Sequence, residues 1–391
     1  MHRFALVLAG WIVAASLNWV AAADAEPRPS TTPDSWIVYV GTYTGEKSQG
    51  IYACRLDLAS GKCSQPVLAA KATNPSSLAA HPSGRFLYSV GEIDDRDDKP
   101  IGEINGFAID RATLELSPLN HRPSGGEGPC YLAVDKSGGC LLVANYGGGV
   151  ASFPLDSQGR LGAAASVIQH KGHSVNPKRQ EASHAHSINL DRGNRFAVAA
   201  DLGLDKVLVY RLDPATARLT ANDPPSVSVA PGSGPRHFAF HPSGKFGYVI
   251  NEMACTITAF DYDASAGRLT PIETISSLRE GEPLRKNYSA AEIQVHPSGK
   301  FVYASNRGLN SITLFAVDGV RGTLRSIDST STRGKTPYGF GIDPTGNFLL
   351  AGNQDSNTVV TFRIDQQTGR LAAVGEPQAI GSPVCFEFVA P

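Results

Sequence analysis

Short runs of alternating apolar and polar positions, separated by turn sequences, fill most of the chain and predict β-strands. In residues 233–252, two such runs flank the turn sequence HPSGKF. Aligning related turns on their glycine gives six copies, spaced by 54, 55, 51, 55 and 47 residues: Gly84, Gly138, Gly193, Gly244, Gly299 and Gly346. One hairpin is therefore predicted to repeat along the chain.

A second repeated hairpin follows the first. Its motif is an aromatic residue, two further residues and an aspartate, followed by a turn and then by leucine or a similar residue. Copies end at Asp110, Asp156, Asp213, Asp263, Asp318 and Asp365, and a seventh copy ends at Asp57 with Cys54 in place of the aromatic. Four strands per unit at a period near 50 residues are typical of a β-propeller. Seven hairpins of the second kind predict seven blades.

The two ends of the chain complete the repeat count. The C-terminal sequence GSPVCFEFVAP resembles the opening strand of a repeat that has no partner after it, and the sequence WIVYVGTY near the N-terminus supplies that partner. Pairing them removes two open sheet edges. The predicted fold is all-β: a seven-bladed β-propeller with four antiparallel strands per blade, closed by a blade shared between the N- and C-termini.

The first residues differ from the repeats. A short basic start precedes an apolar run from Phe4 to Val20 and then small residues. This order is typical of a secretory signal peptide, placed at residues 1–25, and the Pro-, Ser- and Thr-rich segment 26–35 is predicted to be a linker. An uncleaved membrane anchor is the alternative. We expect a periplasmic or secreted protein without stable membrane insertion after cleavage, and one propeller domain over residues 36–391.

Charge and cysteine content narrow the class of protein. The net charge is -1 and no basic run occurs, so nucleic acid is not an expected partner. The six cysteines of an exported chain permit disulfides, and either Cys54 with Cys63 or Cys130 with Cys140 straddles a predicted hairpin turn. Free thiols are expected for the other two: Cys255 and Cys385. No cysteine and histidine spacing typical of zinc is present.

The strand ends at one mouth of the predicted channel carry polar residues that differ between blades. Eight residues beyond each turn glycine stand Glu92, Tyr146, Asp201, Glu252, Arg307 and Gln354, and the position before is mostly asparagine, as at Asn306. Seven or eight residues before the glycine stand Ser76, Tyr131, His186, Arg236, His237, Glu292 and Tyr338. Varied chemistry at equivalent positions predicts a functional site at this mouth. A water-filled channel with solvated ends is the alternative.

Two insertions extend the same side of the predicted ring, at residues 170–185 and 277–290. Both carry cations: Lys178, Arg179, Arg279, Arg285 and Lys286. A cationic rim favours an anionic or carboxylate-bearing ligand, although solvated surface loops have the same composition.

Four segments of the sequence resemble those of a known family: NPKRQEASHAHSINL, GPRHFAFHPSGKFGYVINE, SAAEIQVHPSGKFVYASNRG and TPYGFGIDPTGNFLLAGNQ. From Trp36 onward the chain resembles the seven-bladed lactonase family, which includes the propeller-type 6-phosphogluconolactonase and a fungal carboxy-cis,cis-muconate cyclase. The resemblance implies an active site of His186, Arg236, Glu252 and Arg307, all present here. Arg236 stands one residue out of phase with His186, so its side chain needs a twist of the strand end to reach the channel.

These residue types suit hydrolysis of a lactone, which needs a base for water and a positive partner for the oxyanion. We expect His186 to be the base, Glu252 to orient it or to protonate the leaving alkoxide, and the two arginines to bind negative charge. Further substrate-binding residues are expected at His237, Asp201, Glu292, Arg179 and Asn306. No cofactor is expected. A metal held by His184 and His186 with Asp201 or Glu252 is the alternative.

Three functions remain open from the sequence. The leading one is an exported lactonase acting on a small lactone, expected to be anionic, from a sugar acid or a similar compound. Export argues against the phosphorylated sugar lactone of central metabolism, because that compound is cytosolic. A lactonising cyclase that acts on an unsaturated dicarboxylate is the second function, and a non-catalytic propeller that binds a ligand or protein is the third.

Overall fold

A computed structural model describes residues 1, 2, 33–92 and 102–391. The predicted signal peptide and most of the predicted linker lie outside the described residues, apart from the first two positions and the linker's end. The chain from Asp34 to Pro391 forms one compact unit. It contains seven antiparallel sheets of four strands, which confirms the predicted propeller. No helix long and apolar enough to cross a membrane occurs among the described residues.

One sheet is built from both ends of the chain, as predicted. It consists of β28 (Pro383–Val389), β1 (Ser35–Thr42), β2 (Gly50–Asp57) and β3 (Val67–Lys71), in that order across the sheet. β1 and β28 pair antiparallel. The C-terminal strand therefore closes the ring against the N-terminal part of the propeller.

Each of the other six sheets is made of four consecutive strands. In the first three of them these are β4 (Leu78–Ala80), β5 (Phe86–Gly91), β6 (Glu103–Ile109), β7 (Leu116–Pro123), β8 (Pro129–Val134), β9 (Cys140–Asn145), β10 (Gly149–Pro154), β11 (Ser166–Gln169), β12 (Ala185–Leu190), β13 (Phe196–Asp201), β14 (Lys206–Asp213) and β15 (Arg218–Ser228). In the last three they are β16 (Pro235–Phe240), β17 (Phe246–Asn251), β18 (Thr256–Asp263), β19 (Arg268–Ser276), β20 (Ser289–Val295), β21 (Phe301–Arg307), β22 (Ser311–Val317), β23 (Leu324–Ser331), β24 (Pro337–Ile342), β25 (Phe348–Asn353), β26 (Thr358–Ile364) and β27 (Leu371–Ala379).

The hydrophobic core lies between neighbouring blades. One buried cluster, for example, joins Tyr248 and Ile257 of one blade to Val302 and Phe315 of the next. Each blade thus buries its apolar faces only against its neighbours, which is why the repeats depend on ring closure. The first strand of each blade lines a central channel.

The turn after each first strand needs a residue with positive φ. Gly244 provides it with φ of 72°, and its N–H donates to the carbonyl of His241. In the third of the six consecutive blades the same place is taken by Asn194, with φ of 57°, because asparagine tolerates this conformation. The alignment on Gly193 is therefore wrong by one residue.

The six cysteines are free thiols. Cys130 and Cys140 lie near opposite ends of the β8–β9 hairpin, so a disulfide between them is wrong. The thiols of Cys54 and Cys63 hydrogen-bond to each other, and this pair is the one that the strand register brings together.

Candidate active site

A β-bulge near the start of the first strand directs one side chain per blade toward the mouth of the channel. In six of the seven sheets the register between first and second strands shifts there, so that the first strand has one extra residue. A bulge bends the strand and re-aims the side chain of the extra residue. The bulged positions are Cys130, His186, Arg236, Tyr338 and Val384, with the pair Ala291 and Glu292 in the sixth sheet.

Counting from Asn194 instead of Gly193 puts His186 and Arg236 in the same phase. Each stands eight residues before the turn residue of its blade, at the bulge. The apparent phase difference between them came from the alignment, and the twist that Arg236 needs is the bulge itself. The same count moves Asp201 to seven residues beyond the turn, the position that holds asparagine in four other blades.

The mouth opens into a cavity of about 440 Å³. Its side chains come from six of the seven blades, and they include Glu92, Glu127, Cys130, Tyr146, Arg179, His184, His186, Glu252, Arg307 and Tyr338. The structure thus brings together three of the four residues in the implied active site along the cavity wall. The fourth, Arg236, lies directly behind that wall and is fully buried.

Glu252 is the centre of the charged part of the site. Its Oε1 lies 2.6 Å from Nη2 of Arg179, and its Oε2 lies 3.1 Å from Nε of Arg236 and 2.9 Å from Nη2 of Arg307. Burial alone raises the pKa of this carboxyl, but Arg307 and Arg236, helped by His186 and Arg179, lower it far below the usual range. Glu252 is therefore ionised and anchors three guanidinium groups.

The hydrogen bonds of Arg236 and Arg307 leave some of their donor atoms unused within the described residues. Arg236 donates from Nη1 to the carbonyl of Ala291 at 2.7 Å and contacts Nε2 of His237 at 3.2 Å. Arg307 donates from Nη2 to the carbonyl of Ala290 at 3.1 Å. Among the described residues, Nη2 of Arg236 and Nε of Arg307 are buried without a hydrogen-bond partner. A buried donor of this kind is costly unless a ligand or water completes it.

Both guanidinium groups also face the ring of Tyr338. The Cζ atoms of Arg236 and Arg307 lie 4.7 Å and 5.4 Å from the centre of that ring. These cation–π contacts, together with the bonds to Glu252, fix the direction of the arginine planes. A rigid, preorganised pair of cations is what stabilises developing negative charge most effectively.

His186 lines the same cavity and is buried. Its ring packs edge-on against Tyr146 and His237, with ring centres 5.6 Å and 5.3 Å away. Burial, followed by the charges of Arg236 and His237, lowers the pKa of His186 well below its usual value, and Glu252 only partly opposes this. The imidazole is therefore neutral near pH 7 and has a lone pair available for a proton.

Cys130 stands beside His186 and was not among the candidates from the sequence. Its Sγ lies 3.8 Å from Nδ1 of His186 and contacts the carbonyl oxygens of Ala144 and Ala185 at 3.7 Å and 3.6 Å. Burial raises the pKa of this thiol far above its usual value, so it stays protonated. The geometry resembles a cysteine–histidine pair, but the electrostatics do not favour a thiolate nucleophile. The signal in the sequence was its bulge position, eight residues before Gly138.

Glu92 and Tyr338 in the cavity wall belong to a hydrogen-bonded group with Tyr43 and Ser76. Tyr43 donates to Oε2 of Glu92 at 2.9 Å, and its hydroxyl lies 3.1 Å from that of Tyr338. Ser76 donates to the same carboxylate oxygen. Sequence reasoning missed Tyr43, because the closing blade lacks the turn glycine used for counting. Thr42 pairs with Pro383 as asparagine does in other blades, which makes Tyr43 the equivalent of Glu252.

Three residues expected to bind substrate lie away from the cavity. Asn306 donates to the carbonyl of Ser277 at 2.8 Å and ties its own strand to the preceding blade segment. Asp201 bonds to His170 inside its blade. Glu292 lines the central channel, where its Oε2 lies 3.1 Å from Nδ1 of His237. The remaining two, Arg179 and His237, do contact the residues implied in catalysis.

The two insertions contribute unequally. The first brings Arg179 to the cavity, as expected. In the second, Arg279 and Arg285 both pair with Glu282, at 2.5 Å and 3.1 Å, and neither lines the cavity. The predicted cationic rim is therefore reduced to the first insertion.

The alternative metal site is not assembled in the structure. Asp201 faces His170, which removes it from the proposed set with His184 and His186. Within the part of the chain that the structure describes, no group of three or more His, Cys, Asp or Glu side chains is placed to hold a metal ion.

The central channel carries a pair of half-buried acids. Glu292 and Glu387 line a cavity of about 430 Å³ there. Burial raises the pKa of each of them to about 7, opposed in part by Arg236 for Glu292 and by the N–H of Ala80 for Glu387. Among the described residues, no guanidinium group forms an ion pair with either of them, and Arg236 directs its donors to Glu252 and to the carbonyl of Ala291.

Comparison with known proteins gives a consistent picture. The family described as Lactonase, 7-bladed beta-propeller, matches residues 37–388. The chain is 37% identical over 309 residues to a 6-phosphogluconolactonase of Bacillus subtilis, covering 79% of this chain and 85% of that protein. It is 34% identical over 311 residues to a 6-phosphogluconolactonase of Formosa agariphila, covering 78% and 86%. Among solved structures, a periplasmic gluconolactonase of Pseudomonas aeruginosa is similar, with a TM-score of 0.85, 32% identity, and coverage of 91% of this chain and 100% of that one.

Proposed function

Because the chain belongs to the seven-bladed β-propeller lactonase family, whose activity is hydrolysis of cyclic carboxylic esters, we propose that it opens a lactone ring in the cavity around Glu252. The observation that carries the proposal is that a neutral, buried His186 lies at the same cavity as two fixed guanidinium groups from other blades. A base and an oxyanion partner at one cavity are the two things that ester hydrolysis needs.

The first step uses His186 as the base. A water molecule attacks the carbonyl carbon of the lactone, and its proton passes to the imidazole. Because Nδ1 faces the thiol of Cys130, Nε2 is the nitrogen that we assign to this transfer. The depressed pKa keeps the imidazole unprotonated over most of the physiological range, at the cost of some basicity.

The second step is collapse of the tetrahedral intermediate. We assign the oxyanion to Arg307, whose side chain lines the cavity and whose Nε is not used by the protein, while Arg236 stands behind the wall and adds positive charge to the same place. The bond between the carbonyl carbon and the ring oxygen then breaks, and the protonated His186 returns its proton to the leaving alkoxide. The products are a hydroxy acid and the original neutral imidazole, so no proton or charge is left over.

Glu252 serves as the anchor in this scheme and not as the proton donor. Its carboxyl is ionised far below neutral pH, which removes it as an acid for the alkoxide. Its two oxygens instead hold the arginine planes in place, with Arg179 contacting the outer oxygen. We therefore propose that Glu252 orients the arginines, a role that differs from the two expected from the sequence, which were to orient His186 or to protonate the alkoxide.

The charge of the cavity bears on the substrate. Three guanidinium groups, of Arg179, Arg236 and Arg307, meet three carboxyl groups: Glu252, Glu92 and Glu127. When Glu92 and Glu127 are counted with Glu252, the formal charges of the three arginines and the three acids cancel, so the cavity has little net attraction for a permanent anion. We therefore propose a sugar-acid lactone without a phosphate group, instead of the anionic ligand expected from the sequence, in which negative charge develops only during the reaction.

A panel of lactones tests this function. We expect the protein to accelerate ring opening of an unphosphorylated sugar lactone above its spontaneous rate, and to do so more efficiently than for the 6-phosphorylated compound. Treatment with a chelator should leave the rate unchanged, because no step uses a metal ion. An unsaturated dicarboxylate in the same panel tests the cyclase alternative. Loss of activity with chelator, or no turnover of any lactone, would contradict the proposal.

We propose export of the protein on the basis of its first residues, and the similar gluconolactonase of Pseudomonas aeruginosa is described as periplasmic. Mass spectrometry of the protein from its native host should find an N-terminus near Asp24 or Glu26. An intact N-terminus in the membrane fraction would favour an anchor instead.

A further inference from the structure

The first insertion, residues 170–185, contains no strand before β12 begins at Ala185, yet it brings Arg179 to Glu252, with 2.6 Å between Nη2 and Oε1. The side chain of Arg179 is 44% exposed. An ion pair so open to solvent is worth little by itself and does not fix a long loop. Something else must therefore hold the insertion over the cavity.

One buried carboxylate binds both ends of this insertion. Asp201 accepts from Nδ1 of His170, at the start, with 2.6 Å between the nitrogen and Oδ2. It also accepts from the backbone N–H of His184, at the end, with 2.7 Å to Oδ1. His170 is fixed from its other side, because its Nε2 lies 2.6 Å from the hydroxyl of Tyr210. Asp201 thus joins the two ends of the insertion to each other.

A second aspartate in the same turn binds the middle of the insertion. Asp205 accepts from the hydroxyl of Ser174 at 2.6 Å, and from the backbone N–H groups of Gly232 and Gly234 at 2.7 Å each. Gly234 lies two residues before Arg236. Asp205 therefore connects the insertion to the segment that leads into the bulge carrying Arg236.

The residue type at position 201 is specific to this blade. The equivalent position holds Asn145, Asn251, Asn306 and Asn353 in four other blades. In three of these the amide donates to a backbone carbonyl: Asn145, Asn306 and Asn353. An ionised carboxylate can only accept, so Asp201 selects the tautomer of His170 that donates from Nδ1, and it also accepts from the backbone N–H of His184. Asp201 is fully buried, and burying a carboxylate is costly unless several donors meet it.

We propose that the turn 201–205 is a clamp in which Asp201 and Asp205 are positioning residues for the active site. Through His170 and His184, Asp201 holds Arg179 over Glu252. Asp205 holds the insertion against the strand of Arg236. The inference rests on the proposed function for its effect on catalysis, but the clamp itself is a structural claim that needs no substrate.

The test compares Asp201→Asn with Asp191→Asn. Asparagine occurs at the first position in other blades, so Asp201→Asn is expected to fold. Asp191 is the matched control, because it is also buried in this blade and accepts from the N–H groups of Arg195 and Phe196 at the far turn. Hydrogen–deuterium exchange should rise in residues 171–184 of Asp201→Asn and stay unchanged there in Asp191→Asn. Unchanged exchange in both variants would overturn the clamp.

Kinetics on the unphosphorylated lactone supply the second measurement. We expect Asp201→Asn and Arg179→Ala each to lower kcat/KM by about tenfold, the change produced by about 1.4 kcal/mol. The double variant should lose no more than the larger single effect, because both act through the same contact. Multiplying effects would overturn the assignment of Asp201 to Arg179. If exchange rises as expected but no lactone is hydrolysed by the unaltered protein, the proposed function fails and the clamp stands.

Discussion

The cavity around Glu252 and the channel around Glu292 and Glu387 both bury carboxyl groups, with opposite results. In the cavity three guanidinium groups lower the pKa of Glu252 far below its usual range. In the channel, burial without such partners raises the pKa of both glutamates to about 7. Burial is common to the two regions, so the difference is made by the arginines. The same residue type becomes a permanent anchor in one place and a titrating acid in the other.

The fixed ionic groups that can stabilise developing negative charge therefore lie at the mouth, near the start of the first strands. Arg236 is the residue nearest to both regions, since its neighbour His237 contacts Glu292 while its own Nε contacts Glu252. The bulge separates the two adjacent side chains, so that one serves the mouth and the other the channel.

Among the replacements that test this comparison, the largest combined effect on stability and activity is expected for Glu252→Gln. Removing one partner of a buried ion cluster leaves guanidinium charges uncompensated, which costs about 3–5 kcal/mol of unfolding free energy. The arginine planes also lose their anchor, so kcat/KM should fall by about 10²–10³, as for a lost oxyanion donor. Urea unfolding and lactone turnover measure the two losses. Glu387→Gln is the control, and equal behaviour of the two variants at pH 7 would contradict the comparison.

A smaller effect is expected for Arg307→Lys. Lysine keeps the positive charge but lacks the planar fork that contacts Glu252 and the backbone while leaving Nε for the substrate. The loss of one charged hydrogen bond, about 1.5–3 kcal/mol, predicts a kcat/KM lower by about 10–100-fold. Arg285→Lys, at an exposed pair with Glu282, should change nothing measurable. Full activity of Arg307→Lys would show that charge alone suffices.

The smallest effect concerns stability in the channel. The pKa of Glu387 is raised from 4.5 to about 7 in the folded protein, so its neutral form is favoured there. Its contribution to stability is complete below about pH 4.5 and is lost as the pH rises through about 7. Glu387→Gln should therefore match the unaltered protein in Tm near pH 4.5 and exceed it by several degrees at pH 8, with the difference appearing between these two pH values. A constant Tm difference across this range would argue against a titrating Glu387.

Much of the fold could be predicted from the sequence, because the turns demand residues that tolerate positive φ and therefore recur visibly. Gly244, Gly299 and Gly346 all adopt φ near 75° in equivalent turns. The register of the site follows from these turns, which is how Glu252 and Arg307 could be placed at one mouth. Where asparagine replaces glycine, at Asn194, the neighbouring Gly193 misled the count by one residue.

Other features of the site could not be predicted, because they depend on contacts between distant segments. No sequence pattern announces the bulge that turns Arg236 toward Glu252. The neutralisation of Arg279 and Arg285 by Glu282 depends on how the second insertion folds back on itself. The burial that raises the pKa of the Cys130 thiol is likewise a product of packing between blades.

The central claim is that His186 is the base for lactone opening, and its replacement tests that claim most directly. The measurement is kcat/KM of the unaltered protein and of His186→Ala on an unphosphorylated sugar lactone, with Tm recorded for both. We expect a loss of about two to four orders of magnitude with little change in Tm, since the ring supplies proton transfer and makes few structural bonds. A His186→Ala protein that keeps full lactonase activity would contradict the account.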